Sequence, residues 1–198
     1  MLSIVVLISG TGSNLRALLE ASAHADYPAR VVAVGSDVED APGLAHAEAF
    51  GIPSFTVSPS AFDTRVEWGA ELLATIQQWT PDLVVSAGFM RILPPPVVRA
   101  LSPRLINTHP ALLPLFPGAH AVRDALAAGV AETGVTVHVI DEGVDTGPTI
   151  AQRVVAVHPG ERELALHERI KAVERVLLVQ VVRDIADGTT DLEELTSR

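Results

Sequence analysis

Short, continuous apolar runs alternate with amphipathic segments over the first half of the chain, and this alternation constrains the fold more than any other feature. Runs that are apolar at nearly every position are typical of strands buried on both faces of a sheet. We predict strands at residues 2–8, 31–34, 54–57, 83–87 and 105–108. Helices are predicted at residues 13–24, 41–50 and 64–79. Strands separated by single helices form βαβ units, so the sequence predicts a mainly parallel sheet with helices on both faces.

The pattern changes in the last third of the chain, where two strand-like runs follow each other without a helix. They cover residues 134–140 and 149–157, and the short separation is typical of an antiparallel hairpin. A long helix is predicted at about residues 161–187, followed by a polar tail at 188–198 that we expect to fray. The sequence thus predicts a single α/β domain over residues 1–187, with a mostly parallel, twisted sheet and an antiparallel C-terminal hairpin.

Length and charge exclude several classes of function. The 198 residues are enough for about one domain. Lys and Arg number 14 against 24 Asp and Glu, a net charge of −10, which disfavours general binding to the nucleic-acid backbone. The chain has no cysteine, so a disulfide framework, a zinc-thiolate site and a cysteine nucleophile are excluded. We expect a cytoplasmic protein, because every apolar run is too short to span a membrane and no signal peptide is recognisable.

A glycine-rich turn follows the first strand and opens the first helix. The run SGTGSN spans residues 9–14. Backbone N–H groups and the positive end of the helix dipole meet at such a turn, which suits a phosphate. The run matches neither GxGxxG nor a Walker A loop, so a phosphate monoester is better supported than a dinucleotide or ATP. Spacing alone leaves two interpretations equally open: a phosphate site at Gly12, Ser13 and Asn14, or an ordinary turn with Ser13 as the N-cap.

Asn107 and His109 stand two residues apart at the end of a predicted strand. Alternating strand geometry points both side chains to the same side of the sheet, and ligands of open α/β sheets bind beyond the carboxyl ends of strands. An amide donor beside an imidazole can stabilise an oxyanion and transfer a proton. The alternative is a structural pair at the turn before Pro110, which is the commoner role of an isolated Asn-x-His.

Two further segments carry candidate site residues. The turn DEGVDTG at residues 141–147 joins the two hairpin strands and is rich in carboxylates. Such acids often form only Asx turns, and their spacing does not match an EF-hand calcium loop. A catalytic Asp in this turn would have to reach His109. Residues 88–94 are apolar except for Arg91, so they form either a buried loop before a helix that starts at proline or one wall of a flat hydrophobic pocket.

The remaining histidines and serines suggest no metal or hydrolase site. We interpret His138, within a strand-like run, as a core residue, and no ligand spacing pairs His120 with His109. The nucleophile elbow GxSxG of serine hydrolases is absent from the sequence. We therefore expect neither a bound metal nor a serine nucleophile.

Two motifs together resemble the signatures of the folate-dependent formyltransferases. Residues 107–114 read NTHPALLP, with PG at 117–118, and are similar to the family signature Asn-x-His-Pro-Ser-Leu-Leu-Pro. Residues 141–148 read DEGVDTGP and resemble the second signature, which carries a catalytic Asp. Ala111 replaces the usual Ser, and Leu115 stands where a polar residue is common. The segments 9–14 and 87–93 are similar to the branch that formylates glycinamide ribonucleotide, and the resemblance covers nearly the whole chain.

The resemblance implies transfer of a formyl group from 10-formyltetrahydrofolate to the amine of 5′-phosphoribosylglycinamide, in de novo purine biosynthesis. It implies small-molecule partners, no metal, no nucleic acid or membrane, and a monomer or small homodimer. The catalytic residues would be Asn107, His109 and Asp145, acting through a tetrahedral intermediate. The residues that bind the ribonucleotide would be Gly12, Ser13, Asn14, Lys171 and Glu174. The residues that bind the folate would be Arg65, Met90, Arg91, Ile92, Leu93, Asn107, Asp141, Glu142 and Asp145.

Related activities stay open as alternatives. A 10-formyltetrahydrofolate hydrolase shares the catalytic motifs but usually has an extra N-terminal domain. Methionyl-tRNA formyltransferases usually carry a C-terminal barrel, and sugar-nucleotide formyltransferases are longer or fused. A different class is a non-catalytic nucleotide-binding α/β module that has kept the fold, although all three catalytic residue types are present. Such a module would be thermally stabilised by a ribonucleotide but not by a folate.

Overall fold

The computed structural model describes residues 1–197 and contains one seven-stranded sheet. Its first five strands are β1 (Leu2–Ile8), β2 (Ala29–Ser36), β3 (Ser54–Thr56), β4 (Leu83–Ser86) and β5 (Leu105–His109). They pair in parallel in the order β3-β2-β1-β4-β5. The parallel sheet predicted from the alternating sequence pattern is therefore confirmed.

Helices cover both faces of this sheet. The helices are α1 (Ser13–Ser22), α2 (Leu44–Ala49), α3 (Arg65–Gln77), α4 (Pro95–Leu101), α5 (Ala121–Ala127), α6 (Glu163–Ala186) and α7 (Leu192–Thr196), with one 3-10 turn at Pro59–Ala61. Alternate residues of β1 enter two separate cores. Ile4 and Val6 pack with α1 and α6, whereas Val5 and Leu7 pack with α3 and α4. Two buried faces explain why β1 is apolar at every position from Ile4 to Ile8.

The spatial order of the strands reverses at β1. From β1 the chain proceeds through β2 and β3 to one edge of the sheet, whereas β4 and β5 extend toward the other edge. In open α/β sheets such a switch point creates a crevice beyond the carboxyl ends of the strands, and ligands bind there. The glycine-rich turn follows β1, and residues 88–94 follow β4, so both segments lie at this crevice.

Two antiparallel strands, β6 (Glu132–Val139) and β7 (Thr149–Ala156), complete the sheet. β6 pairs with β5, which places His138 directly opposite Asn107. The close pairing of β6 with β7 requires glycine at position 134, because a Cβ there would lie 2.1 Å from the carbonyl oxygen of Arg153. The predicted antiparallel hairpin is thus confirmed.

Two short helices differ from the sequence-based expectations. α5 lies where no helix was predicted. The tail that was expected to fray forms α7, in which Leu192 is buried and the Asp191 carboxylate accepts the N–H of Glu193 at 2.8 Å. Leu195 also packs against the core, so two apolar side chains and a helix cap dock this polar segment, which composition alone did not indicate. None of the helices within residues 1–197 is both long and apolar enough to cross a membrane.

Trp68 anchors the core between α3 and the sheet. Its side chain is buried, its indole N–H donates to the carbonyl oxygen of Val57 at 2.9 Å, and its ring stacks on Phe89 with centroids 6.3 Å apart. We expect Trp68→Ala to lower the free energy of unfolding by about 3–5 kcal/mol, because the substitution leaves a cavity. Urea unfolding measures this loss.

A matched control for Trp68 lies on the same helix. Val66 is 65% exposed, so Val66→Ala should change the free energy of unfolding by no more than about 0.5 kcal/mol. A loss of less than about 1 kcal/mol for Trp68→Ala would contradict its role as a core anchor.

Candidate active site

A cavity of about 510 Å³ opens at the crevice and is bounded by the sheet and three loops. Its lining comes from residues 88–93, 107–110, 118–122 and 140–145. These ranges contain most of the residues that the sequence motifs single out: Met90, Arg91, Ile92, Leu93, Asn107, His109, Asp141, Glu142 and Asp145. Motifs far apart in the sequence therefore meet around a single cavity.

His109 is buried beside the cavity, and both of its ring nitrogens face oxygen acceptors. Nδ1 lies 3.3 Å from Oδ2 of Asp145, and Nε2 lies 2.8 Å from the carbonyl oxygen of Phe116. A ring with a proton on each nitrogen donates to both oxygens, whereas a neutral ring donates to only one. The Asp in the 141–147 turn does reach His109, and Asp145 is the residue that makes this contact.

Asn107 shares the cavity wall with His138, its cross-strand partner. Nδ1 of His138 lies 2.9 Å from the carbonyl oxygen of Val139, so Nδ1 is the protonated nitrogen. Nε2 of His138 is 3.2 Å from the Asn107 amide nitrogen and 3.6 Å from Oδ1 of Asp145. The neutral ring accepts from the amide, and a doubly protonated ring directs its Nε2–H at the carboxylate. His138 was interpreted from sequence as a core residue, but it is in contact with two candidate catalytic groups.

The Asp145 carboxylate is stabilised in its ionised form. The neighbouring His138 imidazole holds the pKa of Asp145 below its ordinary value of 3.8, although partial burial acts in the opposite direction. The N–H of Gly118, which donates to Oδ2 at 2.7 Å, and the charge of His109 lower this pKa further. Asp145 is therefore a carboxylate at any pH near neutrality and can only accept hydrogen bonds there.

The lowered pKa of Asp145 has a consequence for stability. Because the folded pKa lies below the unfolded value of 3.8, the ionised carboxylate stabilises the fold above that value, and its contribution disappears as the pH falls through the folded pKa. We expect the stabilisation of wild type relative to Asp145→Asn to shrink as the pH falls from about 5 to below about 4. Urea unfolding at a series of pH values measures it. A difference that grows on acidification would contradict the direction of the shift.

The segment after β4 forms an apolar wall of the cavity. Phe89 and Leu93 are buried, and Met90 and Ile92 are exposed at its surface. The guanidinium of Arg65, at the start of α3, donates to the carbonyl oxygen of Ile92. Arg65 does not line the cavity itself, so in this structure its contact with the site is through the backbone of the wall.

The two acids at the start of the 141–147 turn have partners within the protein. Asp141 accepts the Thr146 hydroxyl at 2.8 Å and the N–H of Gly143 at 3.0 Å, which is the geometry of an Asx turn. Glu142 pairs with Arg99 of α4 at 2.7 Å, and both side chains are largely exposed. Asp141 and Glu142 line the cavity while also holding the turn in shape.

The glycine-rich turn packs closely against α2. Gly12 has a φ of 68° and is the N-cap of α1, and Ser13 is the first residue of the helix. The alternative that Ser13 is the N-cap, which the sequence left open, is therefore wrong in its cap residue. A Cβ on Gly12 would lie 2.9 Å from the Cα of Gly43, so this approach requires glycine. Asn14 is buried, and its amide nitrogen lies 3.5 Å from the Thr108 hydroxyl, next to Asn107 and His109 in the chain.

The ribonucleotide residues expected on α6 lie apart from the main cavity lining. Lys171 pairs with Glu168 at 3.0 Å, and the Glu174 side chain is buried at 8% exposure. Ser13 lines a second cavity of about 460 Å³, together with Arg16 and Arg175. This second cavity lies between α1, α2 and α6, at the N-terminus of α1.

Sequence reasoning missed several groups that contact the site. His138, Phe116 and Gly118 all contact the catalytic candidates, and Asp37 binds Arg91. Asp37 follows β2, so the rule that ligands bind beyond the carboxyl ends of parallel strands could have identified it. Within residues 1–197, no three His, Asp or Glu side chains are grouped to hold a metal ion.

The chain matches proteins of known function along nearly its whole length. The family model described as formyl transferase matches residues 2–182. A Mycobacterium tuberculosis protein named phosphoribosylglycinamide formyltransferase is 55% identical over 183 residues, covering 92% of this chain and 84% of the relative. The Escherichia coli protein of the same name is 42% identical over 98% of this chain and 91% of its own.

Solved structures agree with these sequence matches. Glycinamide ribonucleotide transformylase 1 from Symbiobacterium toebii superposes with a TM-score of 0.92 at 41% identity, covering 95% of this chain and 89% of its own. Its fold therefore matches the seven-stranded sheet and its surrounding helices. With a family model that spans most of the chain and relatives far above 30% identity, the chain belongs to the formyl transferase family.

Proposed function

We propose that this enzyme transfers the formyl group of 10-formyltetrahydrofolate to the amine of 5′-phosphoribosylglycinamide. The observation that carries the proposal is the meeting of Asn107, His109 and Asp145 at one cavity. Relatives that are named for this activity, at up to 55% identity among those compared, support the same choice of substrates. The reaction belongs to purine biosynthesis, as the names of the trifunctional relatives also indicate.

Asn107 and His109 are suited to stabilise the oxyanion that forms when the amine attacks the formyl carbon. The Asn107 amide can offer an N–H to the developing negative charge. Nε2 of His109, now 2.8 Å from the Phe116 carbonyl, would exchange that backbone acceptor for the oxyanion. Hydrogen bonds to an oxyanion strengthen as charge develops, so both donors favour the transition state over the ground state.

Asp145 is suited to orient His109 and to assist proton transfer. Its Oδ2 accepts the N–H of Gly118 and faces Nδ1 of His109, which fixes the imidazole with Nε2 toward the reacting group. The attacking amine must lose a proton, and the folate nitrogen must gain one as its bond to the formyl carbon breaks. A carboxylate at this position can hold a water molecule that carries the proton between the two nitrogens.

The wall at residues 88–93 is suited to a flat heteroaromatic ring. Apolar side chains line the cavity there, with backbone polar groups between them. Such a combination of apolar surface and a few fixed polar groups is typical of small-molecule sites. We propose that the folate lies against Met90, Arg91, Ile92 and Leu93, and that Arg65, Asp141 and Glu142 maintain the shape of this wall and of the facing turn.

The ribonucleotide is proposed to bind across the N-terminus of α1. Backbone N–H groups at Gly12, Ser13 and Asn14 would bind its phosphate, aided by the positive end of the helix dipole. Glu174 can accept hydrogen bonds from ribose hydroxyls, and Lys171 would leave Glu168 to approach the phosphate. Asn14 lies beside Thr108, so a ribonucleotide bound at this turn would lie close to the strand that carries Asn107 and His109.

A spectrophotometric assay with a 10-formylfolate donor tests the proposal. We expect turnover only when 5′-phosphoribosylglycinamide is present. Turnover without the ribonucleotide would mean that water is the acceptor and would support the hydrolase instead. A thermal shift with the ribonucleotide but none with the folate, and no turnover, would support a non-catalytic binding module. Wild-type protein boiled before the assay controls for spontaneous deformylation.

A further inference from the structure

A buried carboxylate that the proposed mechanism does not use lies at the switch point of the sheet. Asp37 directly follows β2, and its side chain is only 1% exposed. Its Oδ1 accepts the Ser9 hydroxyl at 2.5 Å, and its Oδ2 accepts Nε of Arg91 at 2.6 Å. Asp37 therefore connects the ends of three strands, because Ser9 follows β1 and Arg91 lies in the segment after β4.

The Ser9 hydroxyl extends this connection to the backbone of the apolar wall. Because its proton is donated to Asp37, its lone pairs are free to accept, and the N–H of Met90 donates to it at 2.7 Å. The N–H of Ser9 in turn donates to the carbonyl oxygen of Gly88 at 3.1 Å. The hydrogen bonds run in one direction, from Met90 through Ser9 to Asp37, and hold both ends of residues 88–90 against β1.

Electrostatics make the Asp37–Arg91 pair obligatory for this arrangement. A buried carboxylate is costly unless a cation or several hydrogen bonds compensate it. Within residues 1–197, the cation paired with Asp37 is Arg91, whose side chain remains 49% exposed. The Nε of Arg91 is thus committed to Asp37, although sequence reasoning assigned the whole side chain to the folate.

We propose that Asp37 is a positioning residue that holds residues 88–93 in the shape that receives the folate. This inference rests on the proposed function for the identity of the ligand. Asp37 acts through Ser9 and Arg91 and does not line the cavity. It holds the backbone of Met90 through Ser9 and the side chain of Arg91 directly, so that the folate wall is formed before a ligand binds.

The ribonucleotide side should depend much less on Asp37. The glycine-rich turn has its own anchor, because the N–H of Gly43 donates to the carbonyl oxygen of Gly10 at 2.9 Å and Gly12 packs against Gly43. Loss of the Asp37 contacts should therefore loosen the proposed folate site at residues 88–93, whereas the glycine-rich turn keeps its contacts with Gly43. This difference separates a positioning role from a general loss of stability.

Asp37→Asn and Ser9→Ala test the inference. We expect each variant to raise the KM for the 10-formylfolate donor about tenfold, as for loss of one hydrogen bond to a charged group, with the KM for the ribonucleotide within about twofold. In ligand-free protein, backbone amide hydrogen exchange in a peptide covering residues 88–93 should be about tenfold faster than in wild type. Arg91→Ala should raise the same KM, and Arg91→Lys, which keeps the charge, should raise it less than Arg91→Ala does.

Asp82→Asn is the matched control. Asp82 accepts the Ser3 hydroxyl at 2.7 Å at the opposite end of β1, so the same kind of hydrogen bond is lost far from the cavity. We expect Asp82→Asn to change neither KM nor exchange at 88–93. The inference would be overturned if Asp37→Asn had the same amide exchange at residues 88–93 and the same KM for the folate donor as wild type. Equal rises in the KM values for the folate donor and the ribonucleotide would also overturn it. Absence of turnover in wild type would contradict the proposed function instead, and the exchange rates would then decide whether Asp37 holds this segment.

Discussion

Replacing His109 with alanine is expected to lower kcat by about 10²–10³-fold, the usual cost of removing one donor to an oxyanion. The expectation follows from the position of the ring, which faces Asp145 with Nδ1 and a backbone carbonyl with Nε2 at the cavity. His109→Ala also leaves the Asp145 carboxylate without one of its two neighbouring imidazoles.

Steady-state kinetics at saturating substrates measures this effect directly. The KM values should change much less than kcat, because the lost interaction develops in the transition state. His24→Ala serves as the control, because His24 is exposed beyond the end of α1 and touches neither cavity. Turnover of His109→Ala near the wild-type rate would remove His109 from the mechanism.

Asn107→Ala is expected to reduce kcat by a similar factor, about 10²–10³-fold, because we propose the amide as the second donor to the oxyanion. Asn107→Ala also has a structural effect, because Nε2 of His138 loses its contact with the Asn107 amide nitrogen at 3.2 Å. An isosteric substitution separates the loss of the amide donor from the loss of the contact with His138. Asn107→Asp keeps the shape but replaces the amide donor with a carboxylate that repels a developing negative charge.

We therefore expect Asn107→Asp to be at least as slow as Asn107→Ala near neutral pH. Protonation of the introduced carboxyl at lower pH would restore a donor, so activity of Asn107→Asp should rise on acidification relative to Asn107→Ala. Parallel pH–rate profiles of the two variants measure this. If Asn107→Asp retained wild-type kcat at neutral pH, hydrogen-bond donation by Asn107 would not be part of catalysis.

The sheet with helices on both faces could be predicted from sequence because it follows from the hydrophobic pattern within each strand and helix. β1 is apolar at every position from Ile4 to Ile8 because its alternate residues enter different cores. The length and hydrophobic pattern of this run predict a buried strand even though the elements that pack on it are not known from the sequence. Asn107 and His109 were likewise placed on one side of a strand by their spacing alone, and both line the cavity. The helix α5 and the docked helix α7 are short and are held by a few tertiary contacts. Their sequences therefore show little of the hydrophobic periodicity from which helices are predicted.

The rest of the site depends on register and loop geometry. His138 faces Asn107 only because β6 pairs with β5 in one particular register, and a one-residue slip would turn it to the other face. Asp145 reaches His109 from a turn in which its own φ is 55°, and Phe116, with a φ of 54°, offers its carbonyl to the same ring. Left-handed residues of this kind are set by tertiary contacts, so neither composition nor spacing indicates them.

The proposed catalytic residues and the proposed phosphate-binding turn come from different parts of the chain. Asn107, His109, His138 and Asp145 all come from one continuous stretch in which strands adjacent in sequence are adjacent in space. The turn at residues 10–14, by contrast, belongs to the opposite half of the sheet and has its own anchor on Gly43. In the proposed function, substitutions in that turn should therefore alter the affinity for the ribonucleotide while leaving the contacts among Asn107, His109 and Asp145 intact.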